Sequence, residues 1–77
     1  MDWKQYIHSD SKILKGKPVI KGTRLSVEFI LSLYEKGWTE EMILENYPSL
    51  TNNSLKALFA YVRECMELES VYDIDIK

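Results

Sequence analysis

Hydrophobic residues in the middle of this chain recur at helical spacing, and three helices can be placed from that pattern and its caps. Val27, Ile30, Leu31 and Tyr34 follow i, i+3, i+4, i+7. Ser26 precedes them as an N-cap, Glu28 lies in the first turn, and Gly37 stands where a left-handed residue ends a helix. A first helix is expected near 26–36. Thr39 caps the next, Glu40 and Glu41 fill its first turn, and Met42, Ile43 and Tyr47 form its apolar side. Pro48 ends it, because the residue before a proline disfavours helix, so it spans about 40–46. Thr51 caps a third helix of about 52–68. Leu55, Leu58, Phe59, Val62 and Met66 make its stripe, and Tyr61, Cys65 and Leu68 flank it.

The pattern before residue 26 is different. Residues 3–8 alternate weakly, as a short strand would, and Ser9-Asp10-Ser11 is a turn cluster. Ile13-Leu14 and Val19-Ile20 are two apolar patches around Lys15-Gly16-Lys17-Pro18. They read either as two arms of an irregular hairpin or as extended segments packed on helices. Residues 69–77 are acidic and alternate Val71, Asp73 and Asp75 against Tyr72, Ile74 and Ile76. They read as a short strand or a loose extension. The expected fold is mainly α: a three-helix, helix-turn-helix (homeodomain-like) core behind a short irregular β-hairpin or extended N-terminal arm. The 77 residues make one domain, with strands and basic loop at 1–25, helical core at 26–68 and acidic tail at 69–77.

Charge changes this picture. The formal net charge is −2, yet Lys12–Arg24 holds Lys12, Lys15, Lys17, Lys21 and Arg24 with no acid. The other 64 residues carry 5 bases and 12 acids. The same segment contains Gly16, Gly22 and Pro18, so it is a backbone-defined loop rather than a helix. A basic loop on an acidic body points to an anionic partner, either nucleic acid or an acidic protein face. A pI near 5.3 argues against indiscriminate coating of nucleic acid, so any such contact is local. One cysteine excludes an internal disulfide, no apolar run approaches a membrane span, and the N-terminus is polar. These features predict a cytoplasmic protein without membrane contact. A chain this short buries only about 60% of its unfolded surface, which favours a homodimer.

The second helix, tight link and longer third helix have the dimensions of a DNA-reading pair. Asn52, Asn53 and Lys56 lie where a recognition helix meets base edges, and Asn and Lys are suited to adenine and to guanine or phosphate. Asn52 and Asn53 are equally good capping residues. Glu40, Glu41 and Glu45 on the second helix oppose phosphate. The third helix is longer than so small a core needs, and Tyr61, Cys65 and Leu68 widen its stripe, which suits a dimer interface. The competing use of that stripe is cover by Trp3, Tyr6 and Ile7. His8 is the only histidine and Cys65 has no histidine near it in sequence. Neither a catalytic pair nor a metal-ligand spacing nor a cofactor motif is present, so no enzyme, small-molecule substrate or cofactor is expected.

GKPVIKGTR at 16–24, a helix closed by Gly37, and YPSLT at 47–51 together closely resemble the small prokaryotic family DUF433, over about residues 7–65. That resemblance implies a homeodomain-like or winged-helix DNA-binding fold and, for some members, an antitoxin-like role beside a PIN-like nuclease toxin. Two positions depart from the family pattern. Ser26 stands where the family often has proline, and Asn52, Asn53 and Ser54 replace its usual acids. The second departure makes this member more compatible with a phosphate neighbour.

Two functions compete. The leading one is a homodimeric, DNA-binding, antitoxin-like regulator. In it Lys15, Lys17, Lys21 and Arg24 contact phosphates, Asn52, Asn53 and Lys56 approach bases, and the acidic stretch from Glu64 to Asp75 covers a nuclease-type toxin. The alternative is a protein-interaction module in which the basic loop docks on acidic residues and no nucleic acid is bound.

Overall fold

The computed structural model describes residues 1–68. A 3₁₀ turn at Trp3–Gln5 leads into strand β1, Ile7–His8, and a second 3₁₀ turn at Leu14–Gly16 leads into strand β2, Val19–Ile20. Helices α1 (Val27–Glu35), α2 (Glu40–Asn46) and α3 (Asn52–Leu68) follow. The architecture is mainly helical, with a two-stranded antiparallel sheet in front, as the sequence predicts. The acidic tail expected at 69–77 lies outside the described residues.

Helix boundaries follow the caps. Ser26 Oγ accepts the Phe29 amide at 2.9 Å, and Thr39 Oγ1 accepts that of Met42 at 3.2 Å. At α3 the pairing is reciprocal: Ser54 N–H donates to Thr51 Oγ1 and Thr51 N–H donates to Ser54 Oγ. Ser54 thus takes the role a glutamate or glutamine has in a capping box. Gly37 has φ +93°. Gly37 N–H bonds to Tyr34 O and Trp38 N–H to Leu33 O, the paired bonds of a Schellman close. A Cβ on Gly37 would meet no atom within 4 Å, so only the backbone conformation opposes substitution. Gly37→Ala is expected to lower the unfolding free energy by about 1 kcal/mol, read by urea titration of helical ellipticity.

The N-terminal half departs from the expected pairing. Ile13-Leu14 is not a hairpin arm. Leu14, Lys15 and Gly16 all take positive φ (47°, 58° and 84°), which turns the chain away from extended backbone. β2 instead pairs with β1, Ile7 opposite Ile20 and His8 opposite Val19. The strand read at 3–8 also shrinks. Asp2 caps Lys4 N–H at 3.1 Å and winds Trp3–Gln5 into a turn.

Ile7, Ile20, Val27, Ile30, Leu33, Ile43, Leu50, Leu55, Ala57 and Leu58 form one core. All of the buried residues of α3 fall in its first half. Met42, Phe59 and Met66, placed by spacing on apolar stripes, are exposed. Beyond Leu58, α3 adds only the partly buried Tyr61 and Val62 to this core. Among the described residues no helix is long and apolar enough to cross a membrane.

Candidate functional site

The segment from Lys12 to Arg24 is held by its own backbone. Ile13 N–H bonds to Asp10 O, and Gly16 N–H to Ile13 O. Val27 N–H reaches back to Pro18 O, and Ile20 N–H to Leu25 O. Thr23 closes the last turn, its hydroxyl donating to Ile20 O at 2.8 Å and accepting from Leu25 N–H at 3.0 Å. Leu14 and Lys15 are non-glycine residues in left-handed backbone, a conformation that costs roughly 1 kcal/mol or more at each.

This backbone brings Lys15, Lys17 and Arg24 to one groove of about 520 Å³, which Leu14, Leu25, Ser26 and Phe29 also line. Lys21 and Lys12 are exposed but do not line it. Arg24, Lys15 and Lys21 have no acidic partner among the described residues. Lys17 has one: its Nζ lies 2.8 Å from Glu28 Oε1 in the first turn of α1. Glu28 sits below the usual carboxylate range, because it accepts the Lys17 hydrogen bond and feels the Lys17 charge. A lowered carboxylate pKa means that the ion pair is intact above the ordinary value and breaks as pH falls through the lowered one. Carbon-detected NMR titration should place the Glu28 midpoint below that of a free glutamate, and Lys17→Met should return it.

The α3 residues form a separate surface. Asn52 and Asn53 are exposed, and Thr51 and Ser54 do the capping, so neither amide is spent on the helix end. Lys56 lines another depression with Tyr34, Glu40, Leu55 and Phe59 and shares no lining residue with the basic loop. Tyr34 there is pushed up, first by burial and then by the Glu40 charge. Glu40, Glu41 and Glu45 are exposed on α2. The seven residues read as nucleic-acid contacts therefore do not converge: three meet at the loop groove, and Lys56 borders a different site.

Of the three residues read as a dimer interface, Tyr61 and Cys65 border an apolar groove of about 350 Å³ with Pro18, Val27, Glu28, Leu31, Val62 and Met66. Leu68, at the end of α3, is 80% exposed. Trp3 packs on Tyr61, edge to face with ring centroids 4.7 Å apart, and its indole N–H donates to Glu64. The N-terminal arm therefore uses part of the stripe and leaves the rest open. Sequence spacing carried no signal for Leu14, Leu25 and Phe29 as groove lining or for Glu28 as partner of Lys17. The ion pair joins residues 11 apart across a turn that no periodicity describes. Among the described residues no cluster of three metal-ligating side chains occurs.

Comparison with known proteins agrees with this architecture. A crystal structure of a DUF433 member protein from Anabaena variabilis ATCC 29413 superposes with a TM-score of 0.73 at 27% identity, over 80% of this chain. The chain spans 61% of that protein. No functionally curated protein matches. The profile of a family described as "Protein of unknown function (DUF433)" matches residues 7–62, which contain both strands, the basic loop and most of the three helices. The chain belongs to the DUF433 family.

Proposed function

We propose that the protein is a homodimeric DNA-binding regulator of antitoxin type, whose principal phosphate contact is the basic loop. The observation that carries this reading is the gathering of Lys15, Lys17 and Arg24 around one groove on a backbone fixed by its own hydrogen bonds. Preorganised cations lose little freedom when they meet phosphates, and the released counterions supply the free energy. Lys21 extends the cationic stretch. Asn52, Asn53 and Lys56 approach bases from the first turns of α3, and the α2 carboxylates limit non-specific affinity. Dimerisation pairs two such loops through Tyr61, Cys65 and Leu68. A second, acidic surface beginning at Glu64 faces a nuclease-type toxin.

Fluorescence anisotropy on the DNA upstream of its own gene tests the reading. Four phosphate contacts give a log–log salt slope near −3.6, at about −0.9 per contact. While Glu28 retains Lys17, three contacts remain and the slope falls to about −2.7. Glu28→Gln is therefore expected to steepen the slope by about one contact and to tighten binding at low salt. No binding at low salt would remove the DNA reading.

A specific observation favours a second reading. Leu14 and Phe29 are 45% and 38% exposed beside the lysines. Apolar groups among cations suit an acidic peptide better than a phosphate backbone. In that reading the protein is an interaction module without nucleic acid.

A further inference from the structure

We propose that the chain's own C-terminal segment, residues 69–77, docks across the groove beside α3 and into the basic groove, occupying the phosphate-binding loop from within the same molecule.

Three observations lead there. The first is position. Cys65 and Met66, in the last turn of α3, line the apolar groove that Pro18, Val27 and Glu28 complete. Residues 69–77 begin one turn later. The second is continuity. Lys17, which lines the basic groove, and Glu28, which lines the apolar one, are joined by their 2.8 Å ion pair, and Lys17 and Pro18, Ser26 and Val27, and Glu28 and Phe29 are chain neighbours divided between the two. A path from the end of α3 therefore crosses an apolar stretch before it meets Lys15, Lys17 and Arg24. Asp73 and Asp75 lie five and seven residues beyond Leu68, a reach of roughly 17–23 Å at ~3.3 Å per residue. The third is chemistry. The segment reads ESVYDIDIK. In extended form, Tyr72, Ile74 and Ile76 fall on one side and Asp73 and Asp75 on the other. The apolar row matches a groove lined by Leu14, Leu25 and Phe29, and the carboxylates match Lys15 and Arg24, which have no acidic partner among the described residues. Attachment to α3 gives the tail an effective concentration in the millimolar range, so a weak contact suffices.

The tail and an external anion then exclude each other at Lys15 and Arg24. The proposal does not require that the anion be DNA, because its readouts are independent of nucleic acid.

The full-length protein is tested in two ways. Carbodiimide joins carboxylates to lysines that touch them. In a mixture of 14N- and 15N-labelled chains, we expect crosslinks from Asp73 or Asp75 to Lys15 or Lys17 within single-isotope peptides. Mixed-isotope crosslinks would instead assign the groove to the tail of a second copy, and crosslinks elsewhere or none would overturn docking. In chains diluted until they sediment as monomers, so that no partner covers Cys65, its reaction with a small disulfide reagent supplies the second readout, since the docked tail covers the groove that Cys65 lines. The triple variant Tyr72→Ser, Ile74→Ser, Ile76→Ser should raise that rate about threefold to tenfold, set by the docked population of the parent. An unchanged rate, with helical ellipticity unaltered, contradicts the proposal. Asp73→Lys with Asp75→Lys should raise the rate likewise, and adding Lys15→Glu with Arg24→Glu should restore the slow rate. Failure of that rescue would remove the tail's carboxylates from the account.

Discussion

Replacing Lys15 and Arg24 together by glutamate is expected to weaken DNA binding about a hundredfold at 0.1 M salt. Every phosphate left without its cation costs about 0.9 log units of affinity per decade of salt below 1 M, so two cost nearly two log units. The new carboxylates add repulsion on top. Both side chains are exposed and neither has an acidic partner among the described residues, so the fold gives up no ion pair in the exchange. Anisotropy at several salt concentrations reads the result. The variant should also show a slope shallower by about two contacts. A reversal that leaves affinity unchanged while the protein stays folded would show that the loop groove does not meet phosphate. The same variant separates the two readings: loss of DNA with retained partner binding favours the regulator, and loss of an acidic partner without any DNA binding favours the module.

Leu58→Ala is expected to destabilise the fold by about 3 kcal/mol, far more than any exposed substitution would. Leu58 is fully buried, on the inner face of α3 beside Leu55 and Ala57. A domain of this size holds only about 4–12 kcal/mol in total, so one cavity takes a large share. The melting temperature should fall by roughly 12–24 °C, from about 4–8 °C per kcal/mol in a domain of this length. Calorimetry of the full chain measures it. A drop under about 3 °C would mean that burial within this chain contributes little there, and that stability comes from association. By contrast Phe59→Ala, one residue on and 49% exposed, should change stability far less.

Those two residues also show how far local patterns reach. Spacing put Leu58 and Phe59 on one stripe, but a helix buries only the arc that other elements cover. Strand β1 and the Trp3 turn pack on α3 and leave Phe59 outside the core, though it touches the Tyr34 ring. The helix limits were legible because each is set by a neighbour in sequence: Ser26, Thr39 and Thr51 at the starts, Gly37 and Pro48 at the stops. The sheet was not. Ile7 pairs with Ile20 across the left-handed run at Leu14–Gly16, and no residue type forbids the hairpin first expected there.

By itself the sequence determined a mainly helical chain with three capped helices, an excess of positive charge between Lys12 and Arg24, and a third helix longer than its core. It did so through rules acting over a few residues. Tertiary structure alone decided which bases meet. Lys15, Lys17 and Arg24 share a groove, Lys21 lies off it, and Lys56 stands beside Glu40 on another surface. It alone paired Lys17 with Glu28 and set Trp3 over Tyr61. The reason is that such contacts join residues distant in sequence, and their geometry is fixed by how a turn of strained backbone and three packed helices close on one another.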